Sequence, residues 1–260
     1  MEASSVDRCV GVLRDAILSR EYPAGLRLPP ERELAERFGV NRVTVRSALS
    51  RLESEHLVSV RQGSGYSVRD YLRAGGPDLI ASLASLARTA SDRATIVRDL
   101  LAVRRHLAGA MLERLVESAD EAALRTVDAA IVRLAATATA KAPVAEIAAA
   151  DLEVVATLVA ATGSAVLQLC FNPVAALLLE LPMLQEVMYA APETNVVAFQ
   201  TLLDLVRKRS LPGVQIAMEL LAERDEATVR AFVARAKSSG NTKTTTKKKP
   251  ARSGKATRSQ

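Results

Sequence analysis

The stretch LPPERELAERFGVNRVTVRSALSRLESEHLVSVRQGSGYSV, residues 28–68, decides how this chain is read. It divides into helix, tight turn, helix and hairpin. Pro30 suits the first position of a helix, and Glu31 and Glu33 favour the electropositive first turn that follows. Gly39 can take the left-handed conformation that ends this helix, and Asn41 can cap the next one, which runs to about residue 55. Leu34, Ala35 and Phe38 can face Val45, Leu49 and Leu52 across the short turn, with Val40 filling the gap. Two strand-like pieces, 57–61 and 66–68, flank the hairpin tip Gln62-Gly63-Ser64-Gly65.

Once that apolar face is buried, Arg42, Val43, Thr44, Arg46 and Ser47 remain outward near the start of the second helix. A DNA-recognition helix presents its side chains to the major groove from this position. Arg42 and Arg46 stand one turn apart and can take guanine edges or phosphates; the sequence does not separate the two roles. Thr44 can donate to a phosphate, Val43 can touch a thymine methyl, and Arg32 is placed to contact the backbone. The small tip residues, with Arg61 beside them, suit close approach to the minor groove. Arg51 reads as part of a solvated face. His56 reads as a packing or capping residue rather than a titrating switch.

The signature LPPERELAERFGVNRVTVRSALSRLE followed by RQGSGYSV closely resembles the GntR family of bacterial repressors, over about residues 6–70. The resemblance implies a homodimer that places two recognition helices on a palindromic site in double-stranded DNA. Carried over by position, it implies DNA contacts from Arg32, Asn41, Arg42, Val43, Thr44, Arg46, Gln62 and Gly63. The family usually has Thr or Ser at the place of Val43, so one polar contact is lost and operator preference is expected to differ.

Working outward, Val6, Val10, Leu13 and Ile17 recur at helical spacing and predict a first helix over 5–19. Pro23 and Gly25 make 22–28 a turn. The expected division is a winged helix-turn-helix over 1–72, a linker over 73–80 around Gly75-Gly76-Pro77, an all-helical domain over 81–237 and a disordered basic tail over 238–260. Helices are expected near 79–89, 92–117, 120–139, 144–161, 164–179, 193–208 and 212–237, packed as a bundle of six or seven. Ser118 and Glu121 fit a capping box, Gly163 a helix stop, and Pro173 and Pro182 should kink or break their helix. The fold class is mainly α with a small β-wing.

Composition agrees with helices: 49% of the 260 residues are hydrophobic, only 3% are aromatic and Trp is absent, so the core must be Ala, Leu and Val. The net charge of +6 belongs to the tail, since residues 237–260 hold 8 Lys and Arg and no acid. It therefore says nothing about the folded part; such a polycation could add nonspecific phosphate contacts. Cys9 and Cys170 are expected to be reduced, buried thiols of a cytoplasmic protein. The N-terminus has no apolar targeting run, and the apolar stretch 171–191 is interrupted by Pro173, Glu180, Pro182 and Glu186, so no membrane association is expected. No catalytic motif is present, and the chain is expected not to be an enzyme.

The helical part resembles the effector domain of the FadR-type subgroup through Val103-Arg104-Arg105, Asp151 and Ala161-Thr162-Gly163-Ser164. Many domains of this kind hold a metal with an Asp, a His one turn on and two later histidines. Here the Asp151 position is kept, but the others fall at Val155 and near Phe199 and Leu221. With only His56 and His106 in the chain, no metal or other cofactor is expected. The candidate effector pocket is instead apolar around Phe199, with Arg104, Arg105, His106 and Asp151 as polar groups. A hydrophobic carboxylate or an acyl thioester would suit it. The alternatives are an architectural DNA-binding protein without effector and a metal-dependent carboxylate sensor.

Overall fold

In the computed structural model, which describes residues 4–61 and 65–244, the N-terminal segment forms α1 (Ser5–Leu18), α2 (Glu31–Phe38), α3 (Arg42–Ser54) and an antiparallel hairpin of β1 (Val58–Arg61) and β2 (Gly65–Val68). Ser4 opens α1: its hydroxyl accepts from the Asp7 N–H at 3.1 Å while its own N–H donates to the Asp7 carboxylate. Pro30 is the cap of α2 rather than its first residue, and Gly39 ends that helix at φ 63°. The hairpin pairs Val58 with Val68 and Val60 with Tyr66. The segment read as a turn does more than turn: the Gly25 and Leu28 N–H groups donate to β2 carbonyls, so it lines the hairpin's second edge. Leu13 and Ile17 of α1 close over Leu34, Val45, Leu49 and Leu52, forming one buried core with Leu57 and Val58. Cys9 lies in this core, but Cys170 is exposed, so the expectation of two buried thiols holds for one only.

Residues 71–86 join the two parts. They form a short turn of helix, α4 (Tyr71–Ala74), a 3₁₀ turn at Pro77–Leu79, and α5 (Ile80–Leu86). The stretch expected as a linker is thus folded. Leu79 is only 3% exposed and belongs to the N-terminal core. Along α5, Ile80 and Ala81 pack on the helical bundle while Leu83 and Leu86 pack on the N-terminal core.

The bundle comprises α6 (Ala90–Ser118), α7 (Glu121–Thr139), α8 (Val144–Ala161), α9 (Ala165–Leu179), α10 (Pro182–Met188), α11 (Pro192–Arg207) and α12 (Leu211–Thr244). α6 lies along α12, and α7 along α8. α10 was not foreseen, and α12 continues past 237 to Thr244; the rest of the expected tail lies outside the described residues. The cap of α7 is Asp120, whose carboxylate accepts from the Ala123 N–H at 2.7 Å, while Ser118 bonds back to the Arg114 carbonyl inside α6. Pro182 starts α10, at a bend of 95° from α9, yet α9 runs unbroken through Pro173. Leu169, whose carbonyl would have received the missing N–H, is 69% exposed, on the side of α9 facing water. Among the described residues no single helix is long and apolar enough to cross a membrane.

Candidate nucleic-acid interface and ligand cavity

The start of α3 is locked before any ligand arrives. Asn41 Oδ1 accepts from the Thr44 N–H at 2.8 Å and from the Thr44 hydroxyl at 3.0 Å. That leaves Val43 71% exposed at the tip of the helix. Arg42 and Arg46 are exposed on the same outer face, but differ in their surroundings. Glu31 of α2 takes Arg46 in a fork, Nε at 3.1 Å and Nη2 at 2.8 Å. The Arg42 side chain makes no such fork among the described residues, although its charge also acts on Glu31. The Arg46 fork holds the Glu31 carboxyl below its ordinary range. Arg32 pairs with Glu36 at 3.6 Å and stays exposed. Gln62 and Gly63, the expected tip contacts, lie outside the described residues.

Other ion pairs hold this surface in shape. Arg14 of α1 grips Glu55 at the end of α3, with contacts of 3.0 and 2.5 Å. Arg51, read as a solvated arginine, reaches Asp7 at 2.6 Å while remaining half exposed. His56 sits in the left-handed region at φ 58° just past α3, where its N–H donates to the Glu53 carbonyl at 3.0 Å; this is a capping position.

In the bundle, α6, α8, α9, α10, α11 and α12 surround an apolar cavity of about 130 Å³. Arg104, Asp151 and Phe199 line it. His106 does not: it is exposed on α6, with Nδ1 2.7 Å from the Ala102 carbonyl oxygen, because its position on the helix turns it away from α12. The polar end of the cavity involves residues not singled out in the sequence. Asp225 of α12 accepts from Arg104 Nη2 and Arg105 Nη1, both at 2.6 Å. The buried Asp151 accepts from the Asn195 amide at 2.9 Å and from the Tyr189 hydroxyl at 3.2 Å. Arg224 donates in turn to the Asn195 carbonyl oxygen. Burial raises the Asp151 carboxyl above its usual range, against the opposing pull of Asn195, Arg104, Tyr189 and Arg224. Arg104 Nε is buried and has no acceptor among the described residues. Asp225 lies in the run Glu-Arg-Asp-Glu, which looks like a solvated face, and Asn195 reads as a helix-start residue, so neither carried a signal.

Residues 6–68 match the family described as bacterial regulatory proteins, gntR family, and residues 99–224 match the FCD domain. The chain carries a GntR-family helix-turn-helix and an FCD domain. A GntR helix-turn-helix followed by an FCD domain is the FadR-type arrangement. It is 43% identical over 89 residues to the Uncharacterized HTH-type transcriptional regulator Rv0494 of Mycobacterium tuberculosis, covering 30% of this chain and 37% of that one. It is 29% identical over 109 residues to the Fatty acid metabolism regulator protein of Serratia proteamaculans, covering 42% and 45%. The chain thus spans less than half the length of these relatives. The solved structure of Lar, described as controlling the expression of the Listeria monocytogenes agr system, aligns with a TM-score of 0.57 at 14% identity over 89% of this chain and 98% of that chain. That likeness concerns the fold alone.

The metal that the resemblance implies does not fit this cavity. Asp151, Val155, Phe199 and Leu221 all line it, so the positions converge, but only the first is a ligand type. Both Asp151 oxygens already accept hydrogen bonds, and no imidazole lines the wall. Among the described residues there is no cluster of three or more His, Cys, Asp or Glu able to hold a metal.

Proposed function

We propose that this GntR-family chain is a sequence-specific repressor that binds a palindromic operator as a homodimer, with α3 in the major groove. The observation that carries the reading is the outward tip of α3, where Arg42 and Arg46 flank the exposed Val43 on a helix whose opposite face is buried. DNA-binding roles follow for Arg32, Asn41, Arg42, Val43, Thr44 and Arg46, and for Gln62 and Gly63 at the tip. Selection of bound duplexes from a random pool by the full chain tests it. A two-fold symmetric consensus is expected, and Arg42→Ala and Arg46→Ala should each weaken selective enrichment about tenfold or more. Enrichment that survives both substitutions undiminished in a folded protein overturns the reading.

Release from DNA is assigned to a small apolar carboxylic acid in the bundle cavity. A cavity of about 130 Å³ compares with the roughly 150 Å³ that holds benzene in another protein, so of the two effector classes expected it suits a compact acid rather than an acyl thioester. Arg104 Nε, buried and without an acceptor, supplies the donor a carboxylate needs. Titration with compact aromatic and aliphatic carboxylates, against their amides, should raise the melting temperature with the acids only. The tail beyond residue 244 adds phosphate contacts in this reading; removing it should weaken binding to every duplex alike.

A further inference from the structure

Glu31 stands at the first position of α2, where the helix end itself favours a carboxylate. It is the more buried half of its pair: its side chain is 25% exposed, against 68% for Arg46. An untethered arginine with that exposure samples many rotamers, and ordering it on a target costs entropy. The fork from Glu31 occupies Nε and Nη2 and leaves Nη1 uncommitted. Tyr66 of β2 lies close enough for its phenol to feel both charges, so α2, α3 and the hairpin meet at this point. An acid on a face that approaches a polyanion is electrostatically unfavourable by itself.

We propose that Glu31 is a positioning residue for DNA recognition: it holds the Arg46 guanidinium pre-oriented, so that its contact forms only in the correct register. This rests on the reading of α3 as the recognition helix. Two effects of removing Glu31 then have opposite signs. Losing a negative charge strengthens attraction to any duplex, whereas losing the orientation weakens discrimination between duplexes.

The test measures Kd on the selected operator and on a random duplex of equal length, for the full chain and for Glu31→Gln, Glu31→Asp, Arg46→Ala and the Glu31→Gln/Arg46→Ala double variant. Glu31→Gln is expected to bind random DNA as well as wild type or better, while its operator-to-random ratio falls about tenfold. Glu31→Asp keeps the charge but shortens the fork, and should also lose discrimination. Arg46→Ala should lower the ratio similarly, with no further loss in the double variant. Melting curves show that each variant is folded. An unchanged ratio in Glu31→Gln, or losses that multiply in the double variant, overturns the proposal. A wild-type chain that prefers no duplex overturns the recognition-helix reading itself, and this inference with it.

Discussion

Asp225 is the side chain on which the polar end of the cavity is built. Its carboxylate is almost wholly buried and receives one guanidinium on each oxygen. Burying those three groups is tolerable only while they remain paired, so removing the acid strands two cations at a low-polarity site. Asp225→Ala should therefore cost about 3–5 kcal/mol in a denaturant titration, whereas alanine at the exposed Glu226 partner of Arg98 should cost under about 1 kcal/mol. Asp151 behaves differently. Burial lifts its carboxyl above the usual range, so between the ordinary and the raised value the folded chain binds more protons at this group than the unfolded chain. Stability from this group is greatest below the ordinary Asp range and falls as pH rises through the raised value. Between those limits, wild type should lose stability with rising pH relative to Asp151→Asn, as unfolding curves recorded across the acidic to neutral range will show. At this scale the convergence of Arg104, Asp151 and Phe199 on one cavity was legible in the sequence. Asp225, Asn195, Arg224 and Tyr189 were not, because their partners lie on other helices and no local spacing marks them.

Among the elements, α3 owes its start to one side chain. Asn41 satisfies the Thr44 N–H and also fixes the Thr44 hydroxyl, so stability and the shape of the outer face depend on the same group. Asn41→Ala should lower stability by about 0.5–2 kcal/mol, with Asn41→Ser recovering most of it. Chemical denaturation of the full chain measures both. Helix ends with local chemistry of this kind, at Gly39 and Asn41, are readable from sequence because cap and capped group lie within one turn. The errors arose where local alternatives compete. Ser118 and Asp120 can both cap α7, and Asp120 does so because α6 extends through Ser118. Pro173 should disrupt a helix in isolation, but Phe171, Val174, Leu177 and Leu178 are all buried on the inward side of α9, and the helix continues through the proline.

At the scale of the molecule, Leu79 and α5 tie the DNA-facing part to the bundle. Leu79 is buried in one core, and the next residue, Ile80, packs on the other. A ligand in the bundle can alter DNA affinity only by favouring one placement of the helix-turn-helix over another, and this is the contiguous packed route for such a preference. Leu79→Ala should cost about 2–5 kcal/mol. It should also uncouple the sites: an acid that binds the bundle would still raise its melting temperature, yet change operator affinity less than in wild type. Equal coupling in this variant would show that the route lies elsewhere. The neighbouring Gly75 has no room for a side chain, since a Cβ there would collide with Leu79 Cδ1 and meet the Tyr71 carbonyl oxygen at 2.7 Å. The stretch that looked like a spacer is therefore shaped by packing.

What the amino-acid order determined alone was everything set within a few residues: the helices of the DNA-facing part, their caps and turn, the hairpin, and the set of arginines left outside once the apolar stripe is buried. Periodicity and capping are short-range, so the chain carries them openly. Tertiary structure decided what depends on groups far apart along the chain. It placed Glu31 against Arg46, joined Arg104 and Arg105 to Asp225 across more than a hundred residues, closed a cavity over Asp151, and turned a glycine-rich spacer into a packed joint. Those pairings arise because buried charges and polar groups must find partners wherever folding brings them, and local sequence does not record which partner that will be.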